Sequence, residues 1–445
     1  MEVFMKSLFT PLKEEGLTTL KIRYDFKTGN VRLFASKDWE KDLDFSRYNK
    51  DFYIDGIFTE NAVFLNTKQV REMFARYNLS DYLEEVLNLM RAGKHFGIDA
   101  YYNSKYDIRY MMHQHSRKLG INNKSHAIMA GGIRRHFPEE EEIEVIVDGL
   151  NLGRGMSFKN IAGSLAFGGC KATVQMPPLD MKNMEIMGFL AYAMDISRNM
   201  TGPDMNFPTE MSDVMIREGY SKQYTGGPSA KTGETGKPTA FGVYLSMKQA
   251  MRFLYGSESL NGKSVALIGL GAVGWYMGEY LLQEDVKLTI ADINGEVVKK
   301  FLDKHASKGV KAVDVNEIME TEVDIICPCA IGGIIHDENI PKLKCKVIWG
   351  SANNQLRASA QEEEIRLAKL LAARGILFQA EWWHNTAGVM CGAEEYLYDG
   401  TWETLLKKVE AVLPVNTWEN LNKAKQLGIT PTENCYKTCE NKLYG

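Results

Sequence analysis

The stretch Val265-Ala266-Leu267-Ile268-Gly269-Leu270-Gly271-Ala272-Val273-Gly274 decides the fold. Val265 to Leu270 is a short apolar, β-rich run, and the glycines from Gly269 to Gly274 at its end read GxGxxG. Val273, Tyr276, Met277, Tyr280 and Leu281 then share one face of a helix. In such a strand–loop–helix unit, Gly269 allows the tight turn. Gly271 lets the backbone approach a pyrophosphate, and Gly274 lets helix and sheet pack closely. With Ala272 and Val273 between these glycines, the exposed N–H groups at the helix start attract anionic phosphates. Asp292 ends the next apolar run, 23 residues after Gly269. A carboxylate there accepts hydrogen bonds from an adenosine ribose and repels a 2′-phosphate. The pattern therefore predicts NAD rather than NADP.

Working outward, Lys287 to Ala291, Asp324 to Pro328, Lys346 to Gly350 and Gly375 to Gln379 are further short strand candidates with helical segments between several of them. This alternation predicts a parallel sheet covered on both faces. Upstream, Gly226 to Pro238 is rich in Gly, Thr and Pro and reads as a hinge between two domains. Thr19 to Ser36 reads as two strands around a Lys27-Thr28-Gly29-Asn30 turn. Thr67 to Gly93 reads as one helix, with Val70, Met73, Phe74, Tyr77, Leu83, Val86, Leu87 and Met90 at helical spacing. The acidic run Glu139 to Glu142 reads as a solvated helix start.

Composition narrows the function classes. Of 445 residues, 44% are hydrophobic and 25% charged, which suits large globular cores. The formal charge of −4 gives no reason to expect a nucleic-acid partner. No long uninterrupted apolar run suggests a membrane span. Lys6, Lys13, Glu14 and Glu15 interrupt any signal-peptide core. Seven thinly spread cysteines read as reduced thiols, so a cytoplasmic location is expected.

Two lysines twelve residues apart, Lys159 and Lys171, sit beside small or apolar residues; Lys171 follows Gly168-Gly169-Cys170. Burial or a second cation makes a lysine a usable base. Here the sequence resembles the glutamate/leucine/phenylalanine/valine dehydrogenase family, and its leucine-acting members most. The blocks that carry the resemblance run in order over roughly Ser125 to Gly400. They are Gly155-Met156-Ser157-Phe158-Lys159-Asn160, the Gly168 to Lys171 block, Thr201-Gly202-Pro203-Asp204-Met205-Asn206, Pro238 to Tyr244, the Gly269 to Gly274 loop, Gly350 to Leu356, and Asn385 to Val389.

The resemblance implies an α/β enzyme of two domains that deaminates an L-amino acid oxidatively with NAD, releasing ammonia and a 2-oxo acid. It implies Lys171 as catalytic lysine, Asp204 as proton-transferring carboxylate and Lys159 as holder of the substrate α-carboxylate. Gly131 and Gly132 match a glycine pair lining the substrate pocket. Thr239 and Asn353 match positions near the nicotinamide, with Asn354 and Asn385 nearby, and Cys329 and Ala330 match a cofactor-side loop. A substrate-binding and oligomerisation domain is expected over 1–220, including a stretch over 1–120 that matches nothing in the family. A Rossmann-like domain is expected over 225–390, with C-terminal helices over 395–445 returning to the first domain. A homo-oligomer is expected, with the first 120 residues supporting assembly.

For the substrate side chain, Ala130 stands where glutamate-acting members carry a lysine, and Gly392 where they carry a serine. Gly202 and Val389 also align with pocket positions. Small residues here predict a large apolar or aromatic substrate. The alternatives are a glutamate dehydrogenase in which His384 or Arg134 supplies the cation, or a catalytically silent NAD-binding regulator. The presence of both Lys171 and Asp204 argues against the silent regulator. Departures from the family pattern are Cys170, Thr173 and Glu381-Trp382-Trp383-His384. Cys327-Pro328-Cys329 lacks metal-site spacing, and His113, His115 and His126 lack a carboxylate at helical spacing, so no metal is expected. The Met176 to Met187 stretch reads as core packing.

Overall fold

The computed structural model describes residues 6–117, 128–358 and 360–445. The chain forms two compact units. The first runs through Asn160 and adds Leu165–Gly233 and Glu395–Gly400. The second holds Ile161–Ser164, Glu234–Glu394 and Thr401–Gly445.

The first unit is built on a mixed sheet. Its strands are β1 (Thr19–Asp25), β2 (Asn30–Lys37), β3 (Val63–Leu65), β4 (Gly97–Asn103), β5 (Ile108–Ser116), β6 (Met129–Ala130), β7 (Ile133–His136), β8 (Gly168–Gln175) and β9 (Asn199–Met200). They lie in the order β3-β2-β1-β4-β5-β8-β6-β9, with β7 also paired to β8. The described residues 6–117 are thus no appendage, because β1, β2, β4 and β5 complete the sheet that carries Lys171. Side chains alternate across it. Tyr101, Tyr110, Met112, Cys170 and Val174 enter one core together with Met176, Met187, Phe189 and Tyr192. Ile98, Ala100, Met111, Leu20 and Ile22 enter another with Val145, Ile146 and Leu150 of the helix Glu142–Ala162. Period-two alternation with both faces buried gives three layers.

Two expectations fail here for local reasons. The helix expected over 67–93 is two helices, Thr67–Arg76 and Ser80–Ala92. Asn78 takes φ 55°, and the N–H groups of Asn78 and Leu79 close on the carbonyls of Ala75 and Phe74. That double closure ends a helix even where apolar spacing continues, and Asn tolerates the left-handed conformation. Glu142 is also not solvated. It is buried, and accepts hydrogen bonds from Ser7 Oγ, Leu8 N (2.7 Å) and Tyr82 OH (3.0 Å). Burial pushes its pKa up.

The second unit holds β10 (Ser264–Ile268), β11 (Lys287–Ala291), β12 (Lys311–Ala312), β13 (Ile325–Pro328), β14 (Val347–Ile348) and β15 (Leu377–Phe378). All pairs are parallel, in the order β12-β11-β10-β13-β14-β15. The order reverses at β10, the doubly wound arrangement that binds dinucleotides at its switch point. Val265, Leu267, Ile325 and Val347 face one core, and Ala266, Ile326 and Ile348 the other. The C-terminal helices Trp402–Leu427 and Pro431–Tyr444 belong to this unit, not to the first. Leu421 enters its core, and Leu413 and Val409 fill the space beside Gly242. Only Glu395–Gly400 returns to the first unit. Among the described residues no helix is long and apolar enough to cross a membrane.

Candidate active site

Lys171 lies in the middle of β8, opposite His113 of β5. Cys170, Ala172 and Val174 point into the aromatic and methionine core. Lys171 and Thr173 therefore point to the opposite face, where the helix Glu142–Ala162 packs. That helix comes close because Gly149 and Gly153 carry no side chain. A Cβ on Gly149 would lie 2.1 Å from the His113 ring, and one on Gly153 would lie 3.0 Å from the His113 carbonyl. Asn160, at the helix end, donates to Gly168 O (2.8 Å) and fixes the helix to the start of β8.

Lys171 is buried and its Nζ donates to Asp204 Oδ2. Arg134 donates to the same oxygen through Nε (3.3 Å) and Nη2 (3.2 Å). Burial opposes ionisation of Asp204, but the Lys171 and Arg134 cations overcome it and hold its carboxyl well below the ordinary carboxylate range. Gly132 lies against this pair: a Cβ there would meet Lys171 Nζ at 3.1 Å and Asp204 Cβ at 3.3 Å. Gly131 has a different reason to be glycine, since a Cβ would sit 1.7 Å from Cys170 O. Ala130 is fully buried on β6 between β8 and β9. Gly202 is small for packing, because a Cβ would press on Thr225 O at 3.0 Å. Lys159 is half-buried on the helix Glu142–Ala162.

In the second unit the glycine loop follows β10. Gly269 takes φ 95°, where a side chain would be strained, and a Cβ would also meet Ala330. Gly274 packs on Gly269 O and on Cys329. The space beside Gly271 is open, as a bound pyrophosphate needs. Asp292 Oδ2 accepts from Leu270 N (2.6 Å), so this carboxylate braces the loop as well as ending β11. Its Oδ1 accepts from Asn294 N (2.8 Å), and a carboxylate oxygen has a second lone pair for a ribose hydroxyl. Gly388 leaves room beside Thr239, since a Cβ on Gly388 would lie 3.0 Å from Thr239 Oγ1. Asn385 donates to Ser351 O and to Asn353 Oδ1, both at 3.0 Å. Asn354 N donates to Glu381 Oε1 (2.7 Å). Gly392 is buried in the helix Ala387–Tyr398, which also carries Val389.

The two cations that could have rescued glutamate binding are committed elsewhere. His384 is buried, stacked on Trp349 with centroids 4.4 Å apart, and bonded to Gly350 O and Gln379. Burial pushes its pKa down to about 3, so it is neutral. Arg134 holds Asp204 and Asp148. Trp382 and Trp383 pack on Tyr436 and Asn416 of the C-terminal helices, as core residues. His113 and His115 are buried and bonded to Thr173 Oγ1 (2.8 Å) and Ser157 Oγ (2.7 Å); His126 lies outside the described residues. Thr173, unusual for the family, thus has a partner. The place of Arg134 and Asp148 beside the lysine was not legible as a site. The usable signals were Arg134 two residues after Gly132, and Asp148 three helical turns before Lys159.

Comparison with known proteins places the chain in a family. The profile described as Glutamate/Leucine/Phenylalanine/Valine dehydrogenase matches residues 229–404. The profile of the Glu/Leu/Phe/Val dehydrogenase dimerisation domain matches 118–219. The chain belongs to this family. Leucine dehydrogenase of Geobacillus stearothermophilus is 39% identical over 289 residues, 63% of this chain and 74% of that one. Phenylalanine dehydrogenase of Lysinibacillus sphaericus is 33% identical over 325 residues, 71% and 81% of the two chains. The crystal structure of L-tryptophan dehydrogenase from Nostoc punctiforme shares the fold, with a TM-score of 0.67 and 24% identity over 80% of this chain and 98% of that one. As a family member the protein is an NAD-dependent amino acid dehydrogenase, an oxidoreductase acting on CH–NH2 donors.

The choice of NAD over NADP is tested through Asp292. A carboxylate there would repel a 2′-phosphate, so catalytic efficiency with NAD should exceed that with NADP by about tenfold or more, the scale of a like-charge contact near a protein surface. Steady-state rates with both cofactors measure this, and equal use would contradict the role of Asp292.

Proposed function

We propose that the protein catalyses reversible oxidative deamination of a large apolar or aromatic L-amino acid, with Lys171 and Asp204 carrying the proton chemistry. The ion pair of buried Lys171 with partly exposed Asp204, set against Gly132, carries this reading. Lys159 holds the substrate carboxylate so that the α-hydrogen is presented in one orientation. Gly131 and Gly132 offer backbone beside the reacting carbon. The Gly269–Gly274 loop, Asp292, Thr239, Cys329, Ala330 and Asn353 would hold NAD, which would supply the acceptor for the α-hydride. Lys171 takes a proton from water so that it adds to the substrate iminium, and Asp204 moves protons to and from the substrate nitrogen. Ammonia leaves, and the 2-oxo acid remains.

Ala130, Gly202, Val389 and Gly392 offer no partner to a charged side chain. The substrate names of the leucine, phenylalanine and tryptophan relatives support the same class. A screen of NAD reduction across the L-amino acids tests the reading. Activity confined to glutamate, or to amines lacking a carboxylate, would refute it.

The first unit is read as the assembly surface of a homo-oligomer, supported by the dimerisation-domain match. Light scattering of the full chain should give a mass at least twice 50.3 kDa; a monomer would refute this. Among the described residues no cysteine forms a disulfide, which suits the reducing cytoplasm.

A further inference from the structure

We propose that Arg134 is a positioning residue: clamped by Asp148, its guanidinium sets the orientation and charge balance of the Asp204–Lys171 pair, and with it the pH range of catalysis. The proposal rests on the reading of Lys171 and Asp204 given above.

The backbone brings these groups together. Arg134 lies opposite Thr173 in the β7–β8 register, which puts it on the Lys171 side of the sheet. Ile133 N donates to Gly202 O (3.0 Å) and Asp204 N to Ile133 O (2.9 Å), so the segment carrying Asp204 is fixed to β7. Arg134 Nη1 donates to both oxygens of Asp148, at 3.0 and 3.1 Å. Its Nε and Nη2 reach the Asp204 oxygen that Lys171 also uses. A planar fork gripped on one side by a carboxylate cannot swing, so it fixes the carboxylate on its other side.

The array continues outward. His136 Nε2 lies 3.2 Å from Asp148 Oδ2, and its Nδ1 lies 2.7 Å from Glu140 Oε2. Burial opposes the imidazolium, but Asp148 and Glu140 overcome it and draw the His136 pKa up. With His136 protonated, charges alternate from Glu140 through His136, Asp148, Arg134 and Asp204 to Lys171. The groups around the pair are Asp204 from the loop after β9, Arg134 and His136 on β7, Asp148 on the helix, and His113 on β5. Lys159 lies on the same helix. His113, pushed down to about 3 by burial, adds no charge.

The signs follow from Coulomb's law. A cation beside the Asp204–Lys171 pair favours the less protonated form of the pair, and a carboxylate beside it favours the more protonated form. Removing the guanidinium should make the base available only at higher pH. Removing the Asp148 charge should do the opposite.

The test is kcat and KM against pH for the wild type, Arg134→Gln, Arg134→Lys and Asp148→Asn, with NAD binding and thermal melting measured alongside. Arg134→Gln should lower kcat by about tenfold to hundredfold through misplacement of Asp204. It should also move the ascending limb of kcat/KM up by about one pH unit. Arg134→Lys should restore the limb but not the full kcat, and Asp148→Asn should move the limb down. Limbs that coincide in every soluble variant, with activity falling only as melting temperature falls, would make Arg134 merely structural and overturn the proposal. Should Arg134→Gln fail to fold, an unmoved limb in Asp148→Asn overturns it equally. Full turnover in Lys171→Ala would instead refute the underlying reading of Lys171, whatever the Arg134 variants do.

Discussion

Lys171→Ala is expected to lower turnover by about 10²- to 10⁴-fold, the usual worth of a positioned general base, while NAD still binds. The two effects separate because Lys171 belongs to the first unit and the glycine loop to the second. The strand itself should survive, since β8 is paired through its backbone to β5, β6 and β7. Asp204 keeps Arg134 as a partner in the variant, so this carboxylate is not left without a cation. The measurement is turnover on the best substrate together with NAD affinity by fluorescence. Near-normal turnover would remove Lys171 from the mechanism. Loss of NAD affinity would point to a wider structural failure.

Glutamate is expected to be at least about a hundredfold poorer than the best apolar substrate in kcat/KM. Burying its side-chain carboxylate without a partner costs several kcal/mol. The structure strengthens this expectation by accounting for the two cations that could have intervened. His384 is neutral against Trp349, and Arg134 is occupied by Asp148 and Asp204. An apolar side chain gains instead roughly 0.8 kcal/mol for each methylene that it buries. Ala130→Leu adds volume at a fully buried position, and should move preference toward smaller aliphatic substrates. Rates on glutamate, leucine, phenylalanine and tryptophan decide the matter; a lead for glutamate would overturn it.

The sequence by itself determined the second unit almost strand by strand. Ser264–Ile268, Lys287–Ala291 and Ile325–Pro328 fall where apolar runs end at glycine, Asp or Pro, because a buried parallel strand needs a short run of β-rich side chains and a breaker. The same local chemistry made the glycine loop and Asp292 legible. Motif order carried Lys159, Lys171 and Asp204, since each sits in a block whose residues are neighbours along the chain.

What only the tertiary structure decided depends on groups far apart in sequence. Asn78 ends a helix through backbone closure that side-chain spacing does not record. Glu142 looks solvated in an acidic run, yet is buried because Ser7, Leu8 and Tyr82 converge on it. The helices after Thr401 pack on the second unit because Leu413 and Leu421 meet its apolar surface. Arg134 gained its place only when the β7–β8 register set it beside Lys171, with Asp148 delivered by a helix that Gly149 and Gly153 allow to approach. Local propensity reads one element at a time; charge clamps and packing faces exist only between elements.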